Sequence, residues 1–371
     1  MIILTGSFID YTNPNPSFIV LNEKDLTFEI INYHECLDSK LINKDGDEEK
    51  NINGDKNYCQ GRTSYRPFGI ASDNKNIYIA SNDIIAAFDI FTYKFKKIIT
   101  NSGRVNTHQI YYYKDHLYRC DSAVNCITKI NINTLEETVI DIVEQKIISS
   151  LHECKHIDDK NLYSINSICV VDGKLNIICK KYIDLKQNNN QAEYEFYNRL
   201  VNLSNTEYND YVSKSDLSFK SSALDKIKMK DINYRISKHI VFNIETSTFE
   251  DTPKTMYGKG HNSILVIGNN VWSLCSSSGK LVKNSKTNIK TYNIVDKNNY
   301  YLRGMTFKNN LLYIFATPYE NRNSNISLSE INTNTNYSCC LLILFNMKND
   351  TIEKKIELPK EIYLINDAYM L

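Results

Sequence analysis

Six short polar clusters stand where apolar runs begin: Arg66 with Phe68, His108 with Gln109, Asn166 with Ser167, His261 with Asn262, Arg303, and Asn366 with Asp367. Arginine offers planar donors and asparagine both donates and accepts. Two arginines, two histidines and several amides drawn together would therefore suit an anionic or polyhydroxylated ligand. The same groups could instead satisfy backbone at a sheet edge. Asn166, Asn262 and Asp367 could supply oxygen ligands to a hard cation such as Ca²⁺, although this set contains one carboxylate where divalent sites usually hold more anionic charge. A catalytic arrangement would use His108 or His261 as general base and Arg66 or Arg303 to hold a substrate carboxylate. His152-Glu153-Cys154-Lys155-His156 offers imidazole and thiolate but no spaced partner pair for zinc, and reads as a solvated loop. The sequence has no Gly-rich phosphate loop, no Gly-x-Ser-x-Gly elbow and no His-Glu-x-x-His pair.

The chain of 371 residues, 42% hydrophobic and 11% aromatic, has ample material for a large core. Its 44 Lys and Arg balance 43 Asp and Glu. That leaves no broad field to attract nucleic acid or an anionic membrane, so no DNA or membrane partner is expected. Asparagine makes up about one residue in eight, which reads as the codon bias of an AT-rich genome such as that of a large DNA virus. The start lacks the pattern of a signal peptide, and no apolar run approaches the ~18 residues of a membrane span. Ten cysteines without regular spacing read as reduced thiols. Cys120, Cys126, Cys339 and Cys340 suit small apolar strand positions. The expected location is cytoplasmic.

The elements that must position the polar clusters come from a repeat. Five segments share an apolar pair, an Asp or Asn, a turn with Thr or Asn, and a return to apolar-polar alternation. They begin at Leu21, Phe88, Ile130, Phe242 and Phe345. Alternation around such a turn is hairpin chemistry. A second hairpin precedes the four downstream copies: 68–79, 108–118, 166–177 and 303–314, with a further one at 262–272. The unit is thus four antiparallel strands. Repetition of such units predicts an all-β fold, a six-bladed β-propeller. Ile365 to Tyr369 matches a first strand with nothing after it, and Ile2 to Thr5 a second strand with nothing before it, so the C-terminal strand is expected to complete the N-terminal blade. Lys280 to Ile294 is the weakest stretch, apolar enough for two strands but without the shared turn.

Four stretches fall outside the repeat: 34–60 and 142–162 between blades, and 184–233 and 318–337 within blades. Without them about 42 residues remain per blade for six blades, near the ~40–50 of propeller repeats; seven would leave about 36. In a propeller all four insertions would emerge on the face where first strands begin, which places the activity there. The 184–233 insertion carries Tyr194, Phe196, Tyr197, Leu200 and Val201 at roughly helical spacing. They suit a docking helix or, more simply, one packed on the propeller.

With Arg66-Pro67-Phe68-Gly69-Ile70-Ala71 leading into Ile77-Tyr78-Ile79-Ala80, and Thr107-His108-Gln109-Ile110 leading into Leu117-Tyr118-Arg119-Cys120-Asp121-Ser122, the chain resembles six-bladed propellers of the NHL and SMP-30/gluconolactonase-like group. The resemblance implies either protein or RNA binding or a metal-dependent lactonase. In the lactonases an early acidic residue and a late Asp join Asn residues at the metal, and Asn166, Asn262 and Asp367 match in kind. No early Glu stands at a first-strand start. The expectation is a non-catalytic binding propeller for a protein partner or an anionic small ligand, without a cofactor; the alternative is a metal-assisted hydrolase or lyase on an anionic sugar-type substrate.

Overall fold

The computed structural model describes residues 1–8, 17–32, 67–81, 84–101, 107–122, 124–153, 164–180, 237–256, 260–285, 288–319 and 338–371. Arg66, the stretches 34–60 and 184–233, most of 318–337 and the run from Cys154 to His156 lie outside them.

The described residues form six antiparallel sheets, in the strand organisation of a six-bladed β-propeller. The first sheet joins both ends of the described chain: β25 (Ile362–Met370) lies beside β1 (Ile2–Phe8), followed by β2 (Ser17–Leu21) and β3 (Phe28–Asn32). The second runs through β4 (Gly69–Ser72), β5 (Asn76–Ala80), β6 (Ile84–Asp89) and β7 (Phe95–Asn101). The third has five strands, β8 (Thr107–Tyr113), β9 (His116–Asp121), β10 (Cys126–Asn131), β11 (Glu137–Asp141) and β12 (Lys146–Ile148). Thus the interval 142–162 opens with a short strand laid on the outer edge of its sheet. The fourth comprises β13 (Ile165–Val171), β14 (Lys174–Cys179), β15 (Lys238–Asn243) and β16 (Thr248–Thr255). The fifth comprises β17 (His261–Ile267), β18 (Asn270–Cys275), β19 (Lys280–Asn284) and β20 (Ile289–Asn293). The sixth comprises β21 (Tyr300–Lys308), β22 (Leu311–Pro318), β23 (Leu341–Asn346) and β24 (Thr351–Glu357).

The repeat in the sequence has a local physical cause. At the end of the third strand of five sheets stands an Asn or Asp whose Oδ1 accepts backbone N–H groups two or three residues on: Asn22 from Lys24, Asp89 from Phe91 and Thr92, Asn131 from Asn133 and Thr134, Asn243 from Glu245 and Thr246, Asn346 from Lys348. Four residues after each, the backbone enters the left-handed region, at Leu26, Tyr93, Leu135, Ser247 and Asp350. The side chain thus closes the turn that lets the fourth strand return. The preceding hairpins use two-residue turns with positive φ at Lys114-Asp115, Asp172-Gly173 and Asn309-Asn310, the geometry whose twist matches that of the strands. One further bond ties the two turns of a sheet together: Ile90 N–H donates to Lys75 O, Ile132 to Asp115, Ile244 to Gly173, and Met347 to Asn310.

The chain divides into two compact units. One holds residues 1–119, 130–136 and 298–371; the other holds 120–129 and 137–297. In the first unit the strands that begin the sheets, β21, β25, β4 and β8, neighbour one another in that order. Apolar layers fill the spaces between their sheets. Leu4, Ile19, Phe315, Leu342 and Ile365 form one layer, Ile3, Phe18, Ile79 and Phe88 the next, and Tyr78, Ile85, Ile110 and Ile130 a third. Each of these side chains is buried, and truncating one such leucine to alanine would cost about 2–5 kcal/mol. Gly6 is required where β1 meets β25, because a Cβ there would come within 1.8 Å of Leu364 O. In the second unit β13 lies beside β17. Among the described residues no helix is long and apolar enough to cross a membrane.

Asn131→Ala removes the acceptor of two turn N–H groups and should lower stability by about 1 kcal/mol. Asn131→Asp, which copies Asp89, should stay near wild type. Urea unfolding of the three proteins checks both.

Candidate functional site

Three of the predicted site residues, Asn166, Arg303 and Asn366, stand at one distinctive feature of the backbone, and Asn262 and Asp367 flank it. On four of the strands that begin a sheet, the ladder carries an extra residue. In β13, Ile165 faces Cys179 and Ser167 faces Ile178, which leaves Asn166 as the inserted position. In β17, Asn262 faces Leu274 and Ile264 faces Ser273, with Ser263 inserted at φ 48°. In β21, Arg303 and Gly304 together stand between the Leu302–Ala316 and Met305–Ile314 pairs. In β25, Asn366 is inserted between the Ile365–Gly6 and Asp367–Thr5 pairs. Such bulges re-aim side chains out of the ladder. Gly304 carries φ 72°, and a Cβ there would lie 3.1 Å from the backbone of Asp367.

In the first unit these side chains reach across neighbouring strands. Arg303 Nη1 donates to Asn366 Oδ1 at 3.0 Å, and Asn366 Nδ2 donates to Pro67 O at 2.9 Å. The Arg303 guanidinium lies 5.6 Å from the centre of the Tyr301 ring. Asp367, buried, accepts from Gln109 Nε2 on both oxygens at 3.3 Å, from Ile70 N–H at 3.4 Å and from Ala368 N–H at 2.9 Å. Burial drives its carboxyl up to about 7, against those hydrogen bonds and the opposing pull of Arg303. His108 packs edge-on against Phe68, ring centres 5.9 Å apart. Phe68, Tyr301, Arg303, Thr317, Leu364, Ile365 and Asn366 line a cavity of about 170 Å³.

In the second unit Asn166 Nδ2 donates to His261 O at 2.8 Å and to Asn262 Oδ1. Asn262 Nδ2 donates to Ser276 Oγ at 2.6 Å. His261 Nδ1 meets Ser273 Oγ at 2.9 Å, and its backbone N–H donates to Ser237 Oγ at 3.4 Å. Cys275 lies opposite His261 in the ladder. Burial raises its thiol, but the field and hydrogen bond of His261, with hydrogen bonds of Ser278 and Ser277, outweigh burial and bring it to about 7. His261 and Cys275 are both fully enclosed.

Two groups therefore come together: Gln109, Arg303, Asn366 and Asp367 in one unit, and Asn166, His261 and Asn262 in the other. Arg66 lies outside the described residues. The partners that sequence reasoning missed are Tyr301, Thr317 and Leu364 around the cavity, and Ser237, Ser273, Cys275 and Ser276 around His261 and Asn262. Some stand on second strands or in the short turn after β18, directly across the ladder from the polar starts: Thr317 faces Tyr301, and Cys275 faces His261. A register drawn from the two hairpins would have found those two. Among the described residues no group of three His, Cys, Asp or Glu side chains is placed to hold a metal ion.

No family model matches the sequence, and no curated protein matches it. Among solved structures, a chain of a nidogen/laminin complex aligns over 99% of this chain and 97% of its own length with TM-score 0.55 and 8% identity, a likeness of fold alone. Two computationally designed proteins also align: Ika8 over 79% of this chain and 62% of its own (TM-score 0.38, 7% identity), and Ika4 over 62% and 91% (TM-score 0.31, 9% identity).

The raised Asp367 carboxyl fixes a pH dependence. Its folded-state value lies above the unfolded 3.8, so the folded state resists ionisation and this group costs stability progressively as pH rises from about 4 through about 7. Asp367→Asn should remove that component. Between pH 5 and pH 8 the melting temperature of wild type should fall relative to that of the variant, and parallel curves would show that burial does not control this carboxyl.

Proposed function

We propose that the chain is a non-catalytic interaction propeller that binds a protein partner through the sheet ends where the first strands begin. The observation that carries this reading is how the polar groups there are used. Asn166 and Asn262 in one unit, and Asn366 and Asp367 in the other, use hydrogen bonds to tie strands together, which stiffens the sheet ends within each unit and does not leave groups poised to exchange protons. Long connections attach at the same ends. In the fourth sheet, residues 181–236 leave after Cys179 and return at Lys238, the end at which Ile165 begins β13. In the sixth, 320–337 leave after Pro318 and return at Leu341, the end at which Tyr300 begins β21. Loops held by a rigid scaffold are the usual place for binding. The fold neighbour from a nidogen/laminin complex is itself part of a protein assembly, and the resemblance to NHL propellers points the same way. An anionic small ligand is the narrower version of the same reading.

One observation favours a second reading, a metal-assisted hydrolase or lyase of the lactonase type. Asp367 holds its carboxyl at about 7, a range suited to general acid or base work. Its burial and its three kinds of donor weigh against that role.

Two experiments separate the readings. Replacing 184–233 with a short Gly-Ser linker should abolish capture of the partner by the full chain while the melting transition survives; undiminished capture would remove that sheet end from consideration. Calcium, manganese and zinc should each leave the melting temperature unchanged within error, and a rise of several degrees with any one of them would favour the hydrolase.

A further inference from the structure

The turn that closes the outer hairpin of the second sheet carries an apolar side chain into water. Phe91 is 82% exposed, and no other large apolar side chain among the described residues exceeds 48%. The turn lies at the end of the sheet away from the start of β4: Gly69 faces Ala80 at one end, and Asn76 faces Asp89 at the other. Its other apolar residues turn inward. Ile90, Tyr93 and Phe95 pack on the layer that holds Phe18, Ile79 and Phe88. Phe91 is held out by a stiff frame. Asp89 Oδ1 accepts its N–H and that of Thr92 at 3.0 Å, Tyr93 N–H donates to Asp89 O at 2.9 Å, and Ile90 N–H donates to Lys75 O at 3.1 Å. The surroundings are basic. From Ile90 to Lys114 the sequence holds five Lys and Arg and no Asp or Glu. Two of these ammonium groups serve the chain itself, Lys96 on Asp89 Oδ2 at 2.9 Å and Lys97 on Ile132 O at 3.2 Å. Lys94, across the turn from Asp89, and Lys75, beside Ile90, are exposed, and among the described residues neither side chain makes an ion pair. Of the carboxylates nearby, Asp89 is paired with Lys96, and Asp73 accepts from the Lys75 and Asn76 N–H groups and from the Tyr78 hydroxyl. Glu29 of the first sheet stands close enough to act on Tyr93.

A lone exposed apolar residue is ordinary on a protein surface. One fixed at the tip of a turn between two exposed ammonium groups has a matching surface in chemistry. We infer that this turn docks on an anionic lipid surface, with Phe91 entering the headgroup layer and Lys75 and Lys94 meeting the acidic headgroups. A bilayer takes a single protruding ring without a shaped pocket, and a ring already held in place loses little freedom on insertion. The near balance of charge over the whole chain denies long-range attraction, but headgroup contacts act within a Debye length of about 8–10 Å and need only a local excess. One ring and two ammonium groups make a weak, reversible attachment. The inference goes beyond the interaction reading above, which concerns the opposite sheet ends, and neither depends on the other.

The test is co-sedimentation of the full chain with lipid vesicles. At about 0.1 M salt the wild type should partition onto phosphatidylcholine vesicles carrying about one third phosphatidylserine, and at least about tenfold less onto phosphatidylcholine alone or onto the anionic vesicles at about 0.5 M salt. Phe91→Ser should weaken the partition by about tenfold. Lys75→Gln and Lys94→Gln should each weaken it by about fivefold. All three positions are exposed, and an unchanged melting transition verifies that the variants fold. The comparison of vesicle compositions is made on wild type and stands whatever the variants do. Trp272, the single tryptophan, is buried, so the emission gained in Phe91→Trp should shift to the blue on anionic vesicles and stay in place on neutral ones. Equal partition onto the two compositions, a folded Phe91→Ser within about twofold of wild type, or no sedimentation at all would each overturn the inference. Retention on immobilised polyglutamate or single-stranded DNA without vesicle binding would overturn it too, and would reassign the turn to an acidic protein or a nucleic acid.

Discussion

The edges of the strands that begin each sheet present backbone N–H and C=O groups with no ladder partner on their outer side, and a buried group of that kind left unmet costs about 1–3 kcal/mol. This structure meets the demand with side chains from the neighbouring sheet. Asp367 accepts from Ile70 N–H, Asn366 donates to Pro67 O, Thr5 Oγ1 donates to Phe68 O at 3.3 Å, and Asn166 donates to His261 O. Thr317 Oγ1 receives Ile365 N–H at 3.1 Å, and Ser122 Oγ donates to Ile165 O. Polar residues are required at these positions before any ligand is considered. The bulges follow from the same need, because an inserted residue turns a side chain out of the ladder and toward the next strand.

That demand explains how the architecture could be read from the sequence. The turn that closes the outer hairpins is satisfied within five residues by its own Asn or Asp, so its signature is compact and recurs wherever the turn does. Lys280 to Ile294 was weak for the same reason. There Ser285 performs the closure, its Oγ accepting from Asn288 N–H at 3.0 Å and donating to Asn288 O at 2.9 Å, and the shared Asx residue is missing. β12 left no trace because three residues cannot display a period of two.

The site was legible in position and not in partnership. Asn166, Asn262, Arg303, Asn366 and Asp367 announce themselves as polar residues at the head of apolar runs. Their partners are fixed by topology, with Asn366 and Pro67 separated by 299 positions and Gln109 and Asp367 by 258. No local pattern encodes a pairing over that distance. The burial that sets the Asp367 carboxyl is likewise a property of assembled sheets, since the residue stands in the chain between an amide and an alanine.

The same ties bear on what kind of function the scaffold can support. Proton transfer favours a group able to gain and lose a partner during reaction, and Asp367 is held by Gln109 and two backbone N–H groups in an enclosed position. Recognition asks for the opposite, a donor array whose geometry exists before the ligand arrives, because each side chain ordered on binding costs about 0.5–1.5 kcal/mol. Arg303 fits that description. Its bulge aims it, Asn366 fixes one nitrogen, Tyr301 flanks its plane, and Gly304 allows the backbone to approach Asp367 closely enough to keep the arrangement in place. The interactions that satisfy the strand edges thus also hold Arg303 in one arrangement beside the cavity, and the stiffness that the proposed interaction role would draw on comes from the same ties.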